Sequence, residues 1–295
     1  MLIAMIKYAD DTTKQQVYNM WKTVFGDSDD YMEIYFRKKY RNENTLIYFE
    51  GNKAAASLQM LPYQFTFCGT EIPILYHSGV CTLPKARKKG YMDKLLMASF
   101  EHAQKNDVSL MLLVPQEPWL LKFYDKYGFA QTFDAGTEEL PSLKKLIDDY
   151  PNDLHAAWRE FNTWFRWKDM TVQKSFDDFR AIVEEAKLFD FPPKKNLIGM
   201  ARVIDAEKLL SLFANRYEQK TFSVVVQDEL LKENNASFTI NGGKAERNGT
   251  PAETLFHVNI RKLTQLLFGY YTSENESPLR TVFPEKTPQM HFMME

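Results

Sequence analysis

Val80-Cys81-Thr82-Leu83-Pro84-Lys85-Ala86-Arg87-Lys88-Lys89-Gly90-Tyr91-Met92 is the stretch on which the fold is read. A strand ending near Thr82 passes into a basic loop with one glycine, and an amphipathic helix opens at Tyr91. The first turn of a helix carries backbone N–H groups without intrahelical partners, and its dipole favours negative charge. Gly90 lets the backbone approach a ligand closely. Arg87, Lys88 and Lys89 surround that point with positive charge. The loop lacks the Gly-Lys-Ser/Thr ending of a Walker loop and the repeated glycines of a dinucleotide fingerprint. By itself it reads as an anion site or as a solvated basic turn.

Upstream, residues 12–25 put Val17, Met20, Trp21, Val24 and Phe25 on one helical face, and Gly26 stops the helix. Asp29 or Asp30 is expected to cap a second helix reaching Lys39. Residues 45–49, 54–61, 63–67 and 72–82 then read as an antiparallel meander, with Pro62 as an interruption. Downstream, residues 91–105 form a helix with Met92, Leu95, Leu96, Phe100 and Ala103 as its stripe. Residues 108–114 are nearly all apolar, as in a strand covered on both faces. A short helix over 119–126 and a strand after Gly128-Phe129 close this part.

Residues 137–196 change character. Three helical patterns and three of the tryptophans, Trp158, Trp164 and Trp167, fall here, and residues 191–195 (Phe-Pro-Pro-Lys-Lys) mark a boundary. From residue 197 strands and helices alternate again as a small α+β unit. No internal repeat is evident.

The chain has 295 residues, 37 Lys plus Arg and 39 Asp plus Glu, a formal charge of -2. That balance gives no basic excess for nucleic acid and no acidic tail. With 44% hydrophobic and 26% charged residues, disorder, collagen and coiled coil are excluded as whole-chain descriptions. The two cysteines, Cys68 and Cys81, form no metal-ligand spacing, and a reduced, cytoplasmic protein without a metal is expected. No secretory leader and no membrane-length apolar run is read.

The order of meander, basic loop, helix, buried strand and short helix resembles the GNAT superfamily of acyl-CoA-dependent N-acetyltransferases. Members share an Arg/Gln-x-x-Gly-x-Gly/Ala loop. Arg87 and Gly90 match its first and fourth positions, while Met92 replaces the small sixth residue. The family's Tyr-x-x-x-Gly-Phe run is matched by Tyr124, Gly128 and Phe129. The C-terminal section is similar to the sterol-carrier-like domain of the Eis-type acetyltransferases. The expected class is therefore α+β, a GNAT fold with a mixed, largely antiparallel sheet flanked by helices. The expected domains are residues 1–136 (GNAT), 137–196 (helical connector or reduced second unit) and 197–295 (sterol-carrier-like).

The resemblance implies an N-acetyltransferase that uses acetyl-CoA and acts on a primary amine, either a small polycationic amine or a lysine side chain. Val80, Cys81 and Thr82 would orient the thioester with backbone N–H groups. Arg87, Lys88, Lys89, Gly90, Tyr91 and Met92 would hold the pyrophosphate. Tyr124 would protonate the departing thiolate, a phenol of ordinary pKa about 10 being able to donate, and Tyr127 is the competing phenol. The α-carboxylate of Glu295 would serve as base or acceptor anchor, with His77 as the alternative. Trp21, Phe25, Asp27, Asp29, Asp30 and Glu33 would border the acceptor. His102 reads as structural, and Cys81 as a buried small residue rather than a nucleophile. Neither nucleic acid nor membrane is an expected partner, and self-assembly is an expectation by analogy. The competing readings are a non-catalytic acyl-CoA-binding regulator and a lipid carrier.

Overall fold

The computed structural model describes residues 4–294. Strand β1 (Ala4–Tyr8) leads into helix α1 (Lys14–Phe25), which buries Val17, Met20 and Trp21 and ends at Gly26 with φ +74°. Helix α2 (Asp29–Lys38) is capped by Ser28, whose hydroxyl accepts from the Tyr31 N–H at 3.3 Å. The serine takes the cap expected of an aspartate. Asp29 and Asp30 fall in the first turn, where their charge suits the dipole.

Strands β2 (Thr45–Glu50), β3 (Lys53–Phe67) and β4 (Thr70–Thr82) continue the antiparallel meander from β1. β3 runs unbroken through Pro62, against the expected interruption. Pairing to β2 ends at Gln59 and pairing to β7 (Thr171–Gln173) begins at Gln64. Pro62 thus sits where the edge away from β4 has no strand, so its missing N–H denies no partner there.

Helix α3 (Tyr91–Lys105) buries Leu95, Leu96, Phe100 and Ala103 and returns the chain to β5 (Leu110–Leu113), the one strand parallel to β4. Leu110 and Leu112 enter the core on one face of the sheet, Met111 and Leu113 the core on the other. Two-sided burial accounts for the uniformly apolar run. Helix α4 (Pro118–Asp125) and β6 (Ala130–Phe133) follow.

Residues 137–196 supply helices α5 (Leu143–Asp149), α6 (Leu154–Phe165) and α7 (Phe176–Leu188) and the short β7. Strand β8 (Gly199–Val203) then pairs antiparallel with both β5 and β6, so the large sheet reads β1-β2-β3-β4-β5-β8-β6, with β7 on the far end of β3. A strand from the third expected domain thus completes the sheet of the first.

The remainder forms helix α8 (Ala206–Arg216), strands β9 (Phe222–Gln227), β10 (Ala236–Asn241), β11 (Lys244–Arg247) and β12 (Leu255–Asn259), and helices α9 (Ile260–Leu267) and α10 (Leu279–Val282). The second sheet has the order β11-β10-β9-β12. Phe213, Phe222, Phe256 and Phe283 fill its interior, with ring centroids 5.1–6.3 Å apart. Among the described residues, no helix is long and apolar enough to cross a membrane.

Candidate functional site

The site is built where β4 bulges against β3 and parts from β5. β3 and β4 stay in step to the pair Gln59 and Ser78, and the next pair is Ser57 and Cys81. β4 therefore spends three residues where β3 spends two, and Gly79 takes φ +57° to accommodate the bulge. On the other edge, pairing to β5 ends at His77 and Leu113. The two strands part there, and residues 78–82 border a cavity of about 800 Å³.

The basic loop closes one side of this cavity. Gly90 is the N-cap of α3, at φ +73°, and no side chain caps the helix. A Cβ on Gly90 would meet nothing closer than the Asp93 carboxylate at 3.5 Å, so it is the positive φ that selects glycine. Arg87 donates from Nε to the Thr82 carbonyl at 3.3 Å, and neither Arg87 nor Lys88 has a carboxylate partner among the described residues. Lys89 does: Glu50 accepts from it at 2.8 Å and also from the Tyr91 hydroxyl. That bond pushes the Tyr91 phenol up to about 12, while its ring stacks on Tyr48 at 4.1 Å. Glu50 lies 37 residues before Arg87, and nothing in the sequence signals that it steadies the loop.

Tyr124 projects from α4 into the cavity lining and is buried, its ring set against Phe123 and Phe129 at 5.1 and 5.8 Å. Tyr127 is absent from the lining and donates to Asp93, which belongs to it. His77 is buried with no hydrogen-bond partner for either ring nitrogen among the described residues, and burial pulls its pKa down to about 3. Such a ring resists taking a proton. Cys81 is buried beside Ser57, and desolvation pushes its thiol up to about 11. His102 pairs with the Tyr8 hydroxyl at 2.6 Å and is absent from the lining.

Of the residues expected at the acceptor side, Trp21, Phe25 and Asp27 line the same cavity as Val80, Cys81, Thr82 and the basic loop. Asp27 is half-buried, and desolvation raises its pKa. Asp29 and Glu33 border a separate depression, and Asp29 is bonded to Lys22. Asp30 borders neither. Glu295 lies outside the described residues. The segment before it is buried, with His291 stacked on Phe165 at 3.6 Å. Gly79 escaped the sequence reading, although a glycine inside a strand is a known sign of a bulge.

Residues 5–132 match the family described as Acetyltransferase (GNAT) domain, and residues 207–281 match the Sterol carrier protein domain. The chain carries a GNAT acetyltransferase domain and a sterol-carrier domain. Solved structures share this fold over nearly the whole length. A GCN5-related N-acetyltransferase from Anabaena variabilis aligns with TM-score 0.70 at 15% identity, over 99% of this chain and 100% of its own. One from Kribbella flavida gives 0.67 at 12%, over 98% of each chain. Eis1 from Mycobacterium abscessus gives 0.66 at 12%, over 99% and 100%. At these identities the likeness speaks for the fold, and it includes the middle segment. The sequence matches no curated protein. The GNAT family uses acetyl-CoA as its cosubstrate. The open first turn of α3, Arg87 and Lys88 without carboxylate partners among the described residues, and the edge of residues 78–82 that β5 has left form a cradle that suits it. Among the described residues, no group of His, Cys, Asp and Glu could hold a metal ion.

Proposed function

We propose that this protein is an acetyl-CoA-dependent N-acetyltransferase acting on a primary amine, a small polycationic amine or a lysine side chain. One observation carries the reading. The bulge at Gly79, the parted β4 and β5 and the uncapped N-terminus of α3 all open into one cavity, with Tyr124 on its wall.

When bound, acetyl-CoA supplies the activated acyl group as a thioester. The first-turn N–H groups of α3, with Arg87 and Lys88, hold the pyrophosphate. The backbone N–H groups along residues 79–82 orient the acyl carbonyl in a site shielded from water, where such donors are strongest. Asp27 attracts the ammonium of the acceptor between Trp21 and Phe25. Its desolvated carboxyl is also suited to take the proton that makes the amine nucleophilic. Tyr124, which lines the cavity, gives a proton to the departing thiolate, whereas Tyr127 lies outside the lining. Lipid carriage finds no support in the second unit, whose interior is filled by phenylalanines.

Calorimetry with acetyl-CoA, followed by turnover on an amine panel, tests the reading. We expect saturable binding, and in Tyr124→Phe about 10²-fold slower turnover with near-unchanged cofactor affinity. A folded chain that binds no acetyl-CoA would sink the proposal, and an unaltered rate in the variant would remove Tyr124 as the acid. Binding without turnover on any amine would favour the regulatory reading.

A further inference from the structure

Trp21 carries a polar group that the fold leaves unanswered. The residue is 2% exposed, and its indole N–H has no hydrogen-bond partner among the described residues. A buried donor left unpaired in this way is destabilising. The ring is not free to turn toward water. Tyr35, Phe25 and Phe36 pack around it at centroid distances of 4.5, 5.3 and 5.6 Å.

Its position is equally constrained. The indole lies directly over the bulge: a Cβ added to Gly79 would stand 2.0 Å from Trp21 Cζ2 and 2.4 Å from its Nε1. Trp21 also lines the cavity. The orphan donor therefore sits beside the β4 bulge, at the point where that strand has parted from β5.

An indole N–H donates and cannot accept. An ammonium, which also only donates, is no partner for it. The group that answers it must bring a lone pair to the bulge. We propose that Trp21 Nε1–H donates a hydrogen bond to the acyl oxygen of the bound thioester, as a catalytic donor alongside the backbone N–H groups of residues 79–82. The inference rests on the acetyltransferase reading. As the amine attacks, negative charge gathers on that oxygen, and a fixed donor in a dry site stabilises the charged state more than the ground state. The indole proton stays on nitrogen throughout, and the proton lost by the amine goes to the base.

The test uses the full chain with acetyl-CoA and with free CoA, which lacks the acyl oxygen. Trp21→Phe keeps an aromatic ring and removes the N–H. We expect the variant to bind CoA as the wild type does, to lose the extra affinity for acetyl-CoA, and to lose about 10²-fold in kcat with little change in KM. In the wild type labelled with ¹⁵N-tryptophan, one of the five indole N–H signals should move downfield with acetyl-CoA and stay in place with CoA. This second measurement does not depend on the variant folding. An equal loss of affinity for both ligands marks a packing role and overturns the proposal. An unchanged kcat, or indole signals that answer both ligands alike, does so too. A wild type that turns over amines while the variant matches it removes the Trp21 role alone, whereas a wild type that binds no acetyl-CoA removes the underlying reading as well.

Discussion

Gly79 has no side chain because Trp21 occupies the space. A methyl group there would overlap the indole, and φ +57° is costly for any residue with a Cβ. Gly79→Ala should cost about 2 kcal/mol of stability and move the bulge, lowering transfer activity. Urea denaturation beside an activity assay checks both, and a variant as stable and active as the wild type would refute the packing argument. His77 makes a second residue-level prediction. In the unfolded chain its ring titrates near the ordinary 6.5, while in the folded chain burial holds it at about 3. The folded state therefore binds fewer protons below pH 6.5. Stability is full above that value and drains as pH falls toward 3, by about 2 kcal/mol at pH 5 from this group. His77→Leu should lose that share of the difference between pH 7.5 and pH 5, as read from urea midpoints. Identical pH responses in the two chains would contradict the assignment. The loop residues Arg87 and Gly90 and the phenol of Tyr124 were legible because each sits in a local pattern. Gly79 was present in an evident strand, but its meaning depends on Trp21, 58 positions earlier.

At the scale of elements, the proposed reading places the cofactor's pyrophosphate on the first turn of α3. Gly90→Val forces a β-branched residue to φ +73°, and the loop must rearrange away from the geometry that points its N–H groups outward. Acetyl-CoA affinity should fall at least about tenfold in calorimetry, with a thermal transition that remains cooperative. Wild-type affinity in that variant would relocate the anion site. Most helices were readable from their stripes, as α1, α3 and α7 illustrate. The strands were less so. Pro62 suggested a break because the sequence does not reveal that one edge of β3 is bare at that point. β7, three residues long, has no periodicity to detect, and its place beside β3 is set by residues more than a hundred positions away. The acidic run after α1 read as one cluster. In the folded chain the turn between α1 and α2 separates it, placing Asp27 at the cavity and Asp29, in the first turn of α2, against Lys22.

For the whole molecule, β8 is the feature that binds the parts together. It stands between β5 and β6, so a fragment of residues 1–136 would have a gap between β5 and its edge strand β6. The gap isolates β6, which among the described residues pairs with β8 alone, so such a fragment should express as an insoluble or non-cooperatively unfolding chain, judged by far-ultraviolet circular dichroism on heating. A sharp transition would show that the N-terminal unit closes without β8. Composition and spacing could not announce this arrangement, because Gly199–Val203 reads as a strand without reading as a strand of that sheet. The same arrangement sets a timetable for synthesis. Some 70 residues separate the end of β6 from the end of β8. At about 5–20 residues per second, a nascent chain spends roughly 4–14 s on the ribosome with two bare strand edges in solution. Crowded polysomes would bring those edges of neighbouring copies together. The burden of avoiding mispaired chains therefore falls on the rate of translation through the middle helices and on whatever chaperone meets the chain there.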